Sequence, residues 1–184
     1  AMLEAVAYLH RLGLCHTDLK PENVLLVGTG YSKADLPPGS RQGRRVPHSS
    51  DITLVDFGSA TFEDDHHSAI VSTRHYRAPE VILGTGWSYP CDIWSLGAII
   101  FELATGEALF QTHDNLEHLA MMEVVLGRLP PSLVARAKPA QAQELFAGDG
   151  ELRWPGEAPE DSVKYVQNKY APLREMVERA ADAP

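Results

Sequence analysis

The stretch that decides the reading is His16-Thr17-Asp18-Leu19-Lys20-Pro21-Glu22-Asn23. It sets a carboxyl, an ammonium group two residues later, and an amide separated from Asp18 by four residues, directly ahead of the apolar run Asn23 to Val27. That run reads as a short strand, and Ile52 to Val55 reads as another. The second run leads straight into Asp56-Phe57-Gly58. Farther out stand Ala78-Pro79-Glu80 and then Asp92-Ile93-Trp94-Ser95-Leu96-Gly97. The latter opens a segment that is apolar nearly all round through Leu103, the pattern of a helix buried in the middle of a domain, and Gly106 ends it. Each cluster alone is ordinary, since Asp and Asn in loops are most often turn or cap residues. Their order and spacing together are the signal.

The remaining pattern is mostly helical. Met2, Val6 and Leu9 recur at helical spacing over residues 1 to about 12, closed by Gly13. Asn115 to about Leu126 predicts a helix stopped by Gly127 and the Pro130-Pro131 pair. Beyond Arg136 no firm pattern appears until Pro172 to Ala181, which predicts a last helix. Residues 28–50, rich in Gly, Pro, Ser and Arg, have little to bury and read as a loop or partly disordered insert. The fold class expected is α+β, mainly α.

Composition narrows the function. At 184 residues and 44% hydrophobic, the chain supports one sizeable core. A formal net charge of -9 argues against nucleic-acid binding through a basic face and favours a basic protein partner. Cys15 and Cys91 form no CxxC and sit beside apolar residues, so buried free thiols are expected. Leu96 to Ala104, interrupted by Glu102, falls well short of the roughly 20 residues a membrane helix needs, so no membrane association is expected. The first residues have no signal-peptide layout. His66 and His67 lack a third ligand nearby in sequence, and zinc is not expected.

The ordered clusters resemble the C-terminal lobe of a eukaryotic protein kinase, firmly from about Leu9 to Pro130 and loosely from there to Pro172. The resemblance implies ATP and Mg²⁺ as cofactors, with Asp18 and Lys20 as catalytic residues. Asp18 would accept or orient the substrate hydroxyl and Lys20 would offset phosphate charge. It further implies Asn23 and Asp56 as oxygen ligands of the metal. Thr73, five residues before Ala78, corresponds to the hydroxyl that meets the catalytic Asp and Lys in the substrate groove. His16, Phe57, Gly58, Glu80 and Asp92 are expected to support the site, Asp92 by accepting backbone N–H bonds from the catalytic loop. The Lys two residues after Asp18 resembles the serine/threonine branch.

Within that family, Glu117-His118-Leu119-Ala120-Met121-Met122-Glu123 resembles the signature of the LAMMER, or CDC-like, dual-specificity kinases, with Val124 where that group usually carries Arg. An amphipathic helix facing a core describes the same residues equally well. Thr17, where most kinases have Arg, and Ser72-Thr73-Arg74-His75-Tyr76-Arg77 resemble the same group. The absent Arg implies an activation segment that does not depend on pairing with a phosphorylated residue. Residues 28–50 fall where the group carries an insert. The resemblance implies basic, Arg/Ser-rich substrates such as splicing factors, and a nuclear location with the cytoplasm as alternative.

Residues 1–184 thus read as a partial kinase domain, the C-terminal lobe only. The Gly-rich loop, the strand Lys and the helix Glu of the N-terminal lobe are not in this sequence, nor is the Arg expected to pair with Glu80. Negligible turnover is expected of these residues by themselves. Two functions stay open: part of an active serine/threonine kinase, or a non-catalytic module that binds a substrate or partner in the same groove.

Overall fold

The computed structural model describes residues 1–33 and 45–181. Helix α1 (Met2–Arg11) presents Val6 to the core and gives way to Gly13, whose φ of 75° lets the chain turn into strand β1 (Leu14–Cys15). Strands β2 (Val24–Leu26), β3 (Tyr31–Lys33), β4 (Arg45–Pro47), β5 (Ile52–Leu54) and β6 (Thr61–Phe62) follow. Among the described residues these strands pair antiparallel in three two-stranded ribbons, β1 with β6, β2 with β5 and β3 with β4. The β2–β5 register sets Val24 opposite Leu54. Val55 then donates its N–H to the Asn23 carbonyl at 3.1 Å, so Asp56 leaves its strand beside the end of the stretch 16–23, which resembles a kinase catalytic loop.

Residues 28–50 depart from the loop expectation. Their described flanks pair as β3 and β4, Tyr31 opposite Pro47, with Ser32 and His48 joined side chain to side chain at 2.9 Å. Residues 34–44 of that insert lie outside the described residues.

The helical part is built on α2 (Pro79–Leu83), α3 (Pro90–Thr105), α4 (Asn115–Leu126), α5 (Pro131–Val134), α6 (Pro139–Leu145), α7 (Glu160–Lys169) and α8 (Leu173–Ala181). Helix α3 is the spine. Leu96 and Ile99 have almost no exposure and share one core with Val6 of α1, Leu119 and Met122 of α4, and Phe110. Full burial of each such side chain contributes about 1.5–3 kcal/mol. Gly106 closes α3 at φ 81°, and Asp114 caps α4 by accepting the Glu117 N–H at 2.8 Å. No helix among the described residues is long and apolar enough to cross a membrane.

Candidate active site

The catalytic-loop stretch crosses from β1 to β2 over the N-terminal end of α3. Asp92, in the first turn of α3 and 1% exposed, holds it there. Its Oδ2 accepts the His16 N–H at 2.8 Å and its Oδ1 accepts the Thr17 N–H at 2.9 Å. The Cys15 thiol donates to Oδ2 at 3.2 Å and His10 Nε2 lies 2.9 Å from it. Cys91 Sγ is 3.7 Å from Cys15 Sγ, and both thiols are free and buried. This cluster satisfies two loop N–H groups that burial would otherwise leave orphaned.

His16 works in the same way. Its Nε2 faces the Val55 carbonyl at 3.1 Å and so carries the proton, leaving Nδ1 to accept the Asp18 N–H at 3.3 Å. Its ring also packs on Phe57, with centroids 5.0 Å apart. One imidazole thereby ties the Asp18 backbone to the strand end that carries Asp56.

Asp18, Lys20 and Thr73 meet. Lys20 Nζ donates to Asp18 Oδ2 at 2.7 Å and to Thr73 Oγ1 at 3.3 Å. Thr73 donates both its N–H, at 2.9 Å, and its hydroxyl, at 2.7 Å, to Asp18 Oδ1. Partial burial works to raise the Asp18 carboxyl, but the Lys20 ammonium and the two Thr73 bonds outweigh it and hold the group below the ordinary carboxylate range. The same ion pair raises Lys20.

Asn23 is buried, and its Nδ2 donates to the Asp18 carbonyl at 2.9 Å, which leaves Oδ1 with no protein partner among the described residues. Asp56 is exposed and held at φ 65°, a left-handed conformation rare outside Gly. A Cβ on Gly58 would stand 3.4 Å from the Asp56 carboxyl, at contact distance. An amide oxygen and an exposed carboxyl on adjoining strand ends form a hard, all-oxygen donor set, which fits Mg²⁺. A groove of about 600 Å³ opens beside them, lined among others by Thr17, Asp18, Gly58, Ser72 and Thr73.

Glu80 stands apart from this group. Burial raises its carboxyl, opposed by its own backbone N–H and by Arg136, and among the described residues it has no ion-pair partner.

The Glu117 to Glu123 stretch is α4, with Leu119, Ala120, Met121 and Met122 buried and Glu117 accepting the Ser162 hydroxyl. Arg74 Nη1 reaches Asn115 Oδ1 at 2.8 Å, joining this helix to the segment that carries Thr73. His118 is fully buried with both ring nitrogens unpartnered among the described residues. Burial, with Arg74, Arg77 and His75 nearby, pushes it down to about 3. The unfolded chain titrates it near its ordinary 6.5, so the neutral ring's contribution is whole above pH 6.5 and is lost as pH falls toward 3. Between those limits His118 should account for about 1 kcal/mol of stability per pH unit. Denaturant midpoints at neutral and mildly acidic pH check this: His118→Leu should flatten the slope, and an unchanged slope would refute it.

Sequence reasoning missed His10 and Cys15 as neighbours of Asp92, the contact between Cys15 and Cys91, and the hydroxyls of Thr17 and Ser72. Only the third dimension brings these together, His10 and Asp92 being 82 residues apart.

The protein kinase domain family matches residues 1–145. The serine/threonine-protein kinase AFC1 of Arabidopsis thaliana is 57% identical over 173 residues, an alignment covering 90% of this chain and 37% of that protein. The dual specificity protein kinase CLK2 of Homo sapiens is 47% identical over 181 residues, covering 98% and 35%. A kinase-domain crystal structure superposes with a TM-score of 0.86 at 40% identity, over 96% of this chain and 54% of that one. The chain belongs to the protein kinase domain family, and within it to the LAMMER, or CDC-like, group. It spans about a third of the length of these two curated relatives.

Proposed function

We propose that the full-length protein is a serine/threonine kinase that transfers the γ-phosphoryl group of ATP to hydroxyls of basic, Arg/Ser-rich proteins, splicing factors among them. The observation that carries this reading is the convergence of Lys20 and Thr73 on the Asp18 carboxyl at 2.7–2.9 Å, next to the Asn23 and Asp56 oxygens. A substrate hydroxyl seated at Asp18 has its oxygen turned toward phosphorus. A new O–P bond forms as the bond to the ADP oxygen breaks, and the hydroxyl proton passes to Asp18. A carboxylate held below its ordinary pKa is fully ionised at neutral pH but a weak base. Its main work is therefore to orient the hydroxyl, with proton transfer late in the step. Lys20 stands where it offsets phosphoryl charge, and Asn23 and Asp56 would hold Mg²⁺, which neutralises charge on the phosphate oxygens when bound.

The net charge of -9 supports basic substrates. Transfer to tyrosine as well is proposed because CLK2 is named a dual specificity kinase. The experiment is a comparison, with the full-length protein, of phosphate transfer from ATP to an Arg/Ser-repeat peptide and to one whose Arg residues are replaced by Glu. Preference for the basic peptide supports the reading. Equal or reversed preference removes the substrate class.

A further inference from the structure

We propose that Thr17 and Ser72 are positioning residues whose two hydroxyls clasp both ends of the segment 59–72 to the catalytic loop. This rests on the kinase reading above and names how its activation segment is held. Thr17 is 1% exposed and uses every polar group it has. Its N–H goes to Asp92 Oδ1 at 2.9 Å, its Oγ1 donates to the Ser59 carbonyl at 2.9 Å, and its own carbonyl accepts the Ser72 hydroxyl at 2.9 Å. One residue, adjacent to Asp18, thus touches α3 and both ends of the segment.

The backbone is bent to make this work. Thr17 has φ 67° and Ser72 has φ 66°, left-handed conformations that a β-branched residue such as Thr rarely adopts. Such outliers persist only where surrounding contacts over-determine them. Arg77 adds to the Ser72 end, donating Nε to the Val71 carbonyl at 3.0 Å and Nη2 to the Ser72 carbonyl at 2.8 Å. The bonds that join the segment to the loop are thus neutral hydroxyl-to-carbonyl ones, with the Arg77 guanidinium bracing the Ser72 end from within the segment's own side.

The two ends serve different parts of the site. Ser59 directly follows Asp56-Phe57-Gly58, so loosening it disturbs the metal-side carboxyl. Ser72 directly precedes Thr73, so loosening it disturbs the substrate side. In the full-length protein, Thr17→Val should lower kcat about fivefold with peptide KM nearly unchanged, the scale of one net hydrogen bond. Ser72→Ala should instead raise peptide KM by about the same factor. Thr17→Ser, which keeps the hydroxyl, should restore wild-type kinetics.

Amide hydrogen exchange over residues 59–72 supplies a readout that needs no turnover. Both hydroxyl-deleting variants should exchange faster there, and Thr17→Ser should not. Faster exchange in a protein that shows no phosphate transfer would still support the clasp while sinking the kinase reading. Unchanged exchange would overturn the clasp, and so would failure of Thr17→Ser to restore kcat.

Discussion

Asp18→Asn should lower kcat by about a hundredfold to ten-thousandfold, the range for removing a positioned general base, while peptide affinity and folding stay near wild type. Asn keeps the shape and an oxygen that still accepts from Thr73, but loses the charge that pairs with Lys20 at 2.7 Å. Steady-state kinetics on the full-length protein test it, and a loss below tenfold would remove Asp18 from the chemistry. The pH dependence follows from the shifts. Folding lowers the Asp18 carboxyl, so its contribution is whole above the ordinary 3.8 and is lost only as pH falls through the lower folded value. Folding raises Lys20, so its contribution is whole below the ordinary 10.5 and is lost as pH rises through the higher folded value. The pair is intact across the neutral range, and the rate should show no inflexion from it between about pH 5 and 9.

Asp92→Ala should cost about 2–6 kcal/mol of stability, since it orphans two buried backbone N–H groups at about 1–3 kcal/mol each. That is a large share of the 5–15 kcal/mol, roughly, that holds a domain together. The His16 and Thr17 N–H groups lose their acceptor, and the Cys15 thiol and His10 lose theirs with it. Denaturant titration measures the loss. Asp92→Asn, which keeps one acceptor oxygen, should fall between wild type and Asp92→Ala. A change under about 1 kcal/mol in Asp92→Ala would mean that water replaces the carboxyl and that the loop is held by other means.

Much of this was legible in the sequence because the physics there is local. Helix α3 announces itself through Ile93, Leu96, Ile99 and Ile100, and Asn115 to Leu126 coincides with α4, bounded by Asp114 and Gly127. The meeting of Asp18, Lys20 and Thr73 was legible as a motif, although Thr73 lies 55 residues beyond Asp18.

Helices α6 and α7 were missed. Helix α7 buries only Val166 among Glu160, Asp161, Lys164, Gln167 and Asn168, and α6 buries only Leu145, too little for a periodic pattern. The hairpin of β3 and β4 escaped because all six of its residues are exposed and show no alternation. Ribbon β1–β6 has two residues per strand, below any sequence signal. Spacing also says nothing of His10, whose only link to Asp92 is the fold.

The most direct test of the central claim, that these oxygens and cations form a phosphotransfer site, is transfer of labelled γ-phosphate by the full-length protein as Mg²⁺ is titrated, for wild type and for Asp56→Asn. The account expects saturable transfer by wild type, and for the variant either no transfer or a Mg²⁺ requirement at least about tenfold higher, the usual order of loss when a charged ligand goes. Wild type that binds the Arg/Ser peptide yet transfers no phosphate at any Mg²⁺ concentration would contradict the account and leave a binding module in its place.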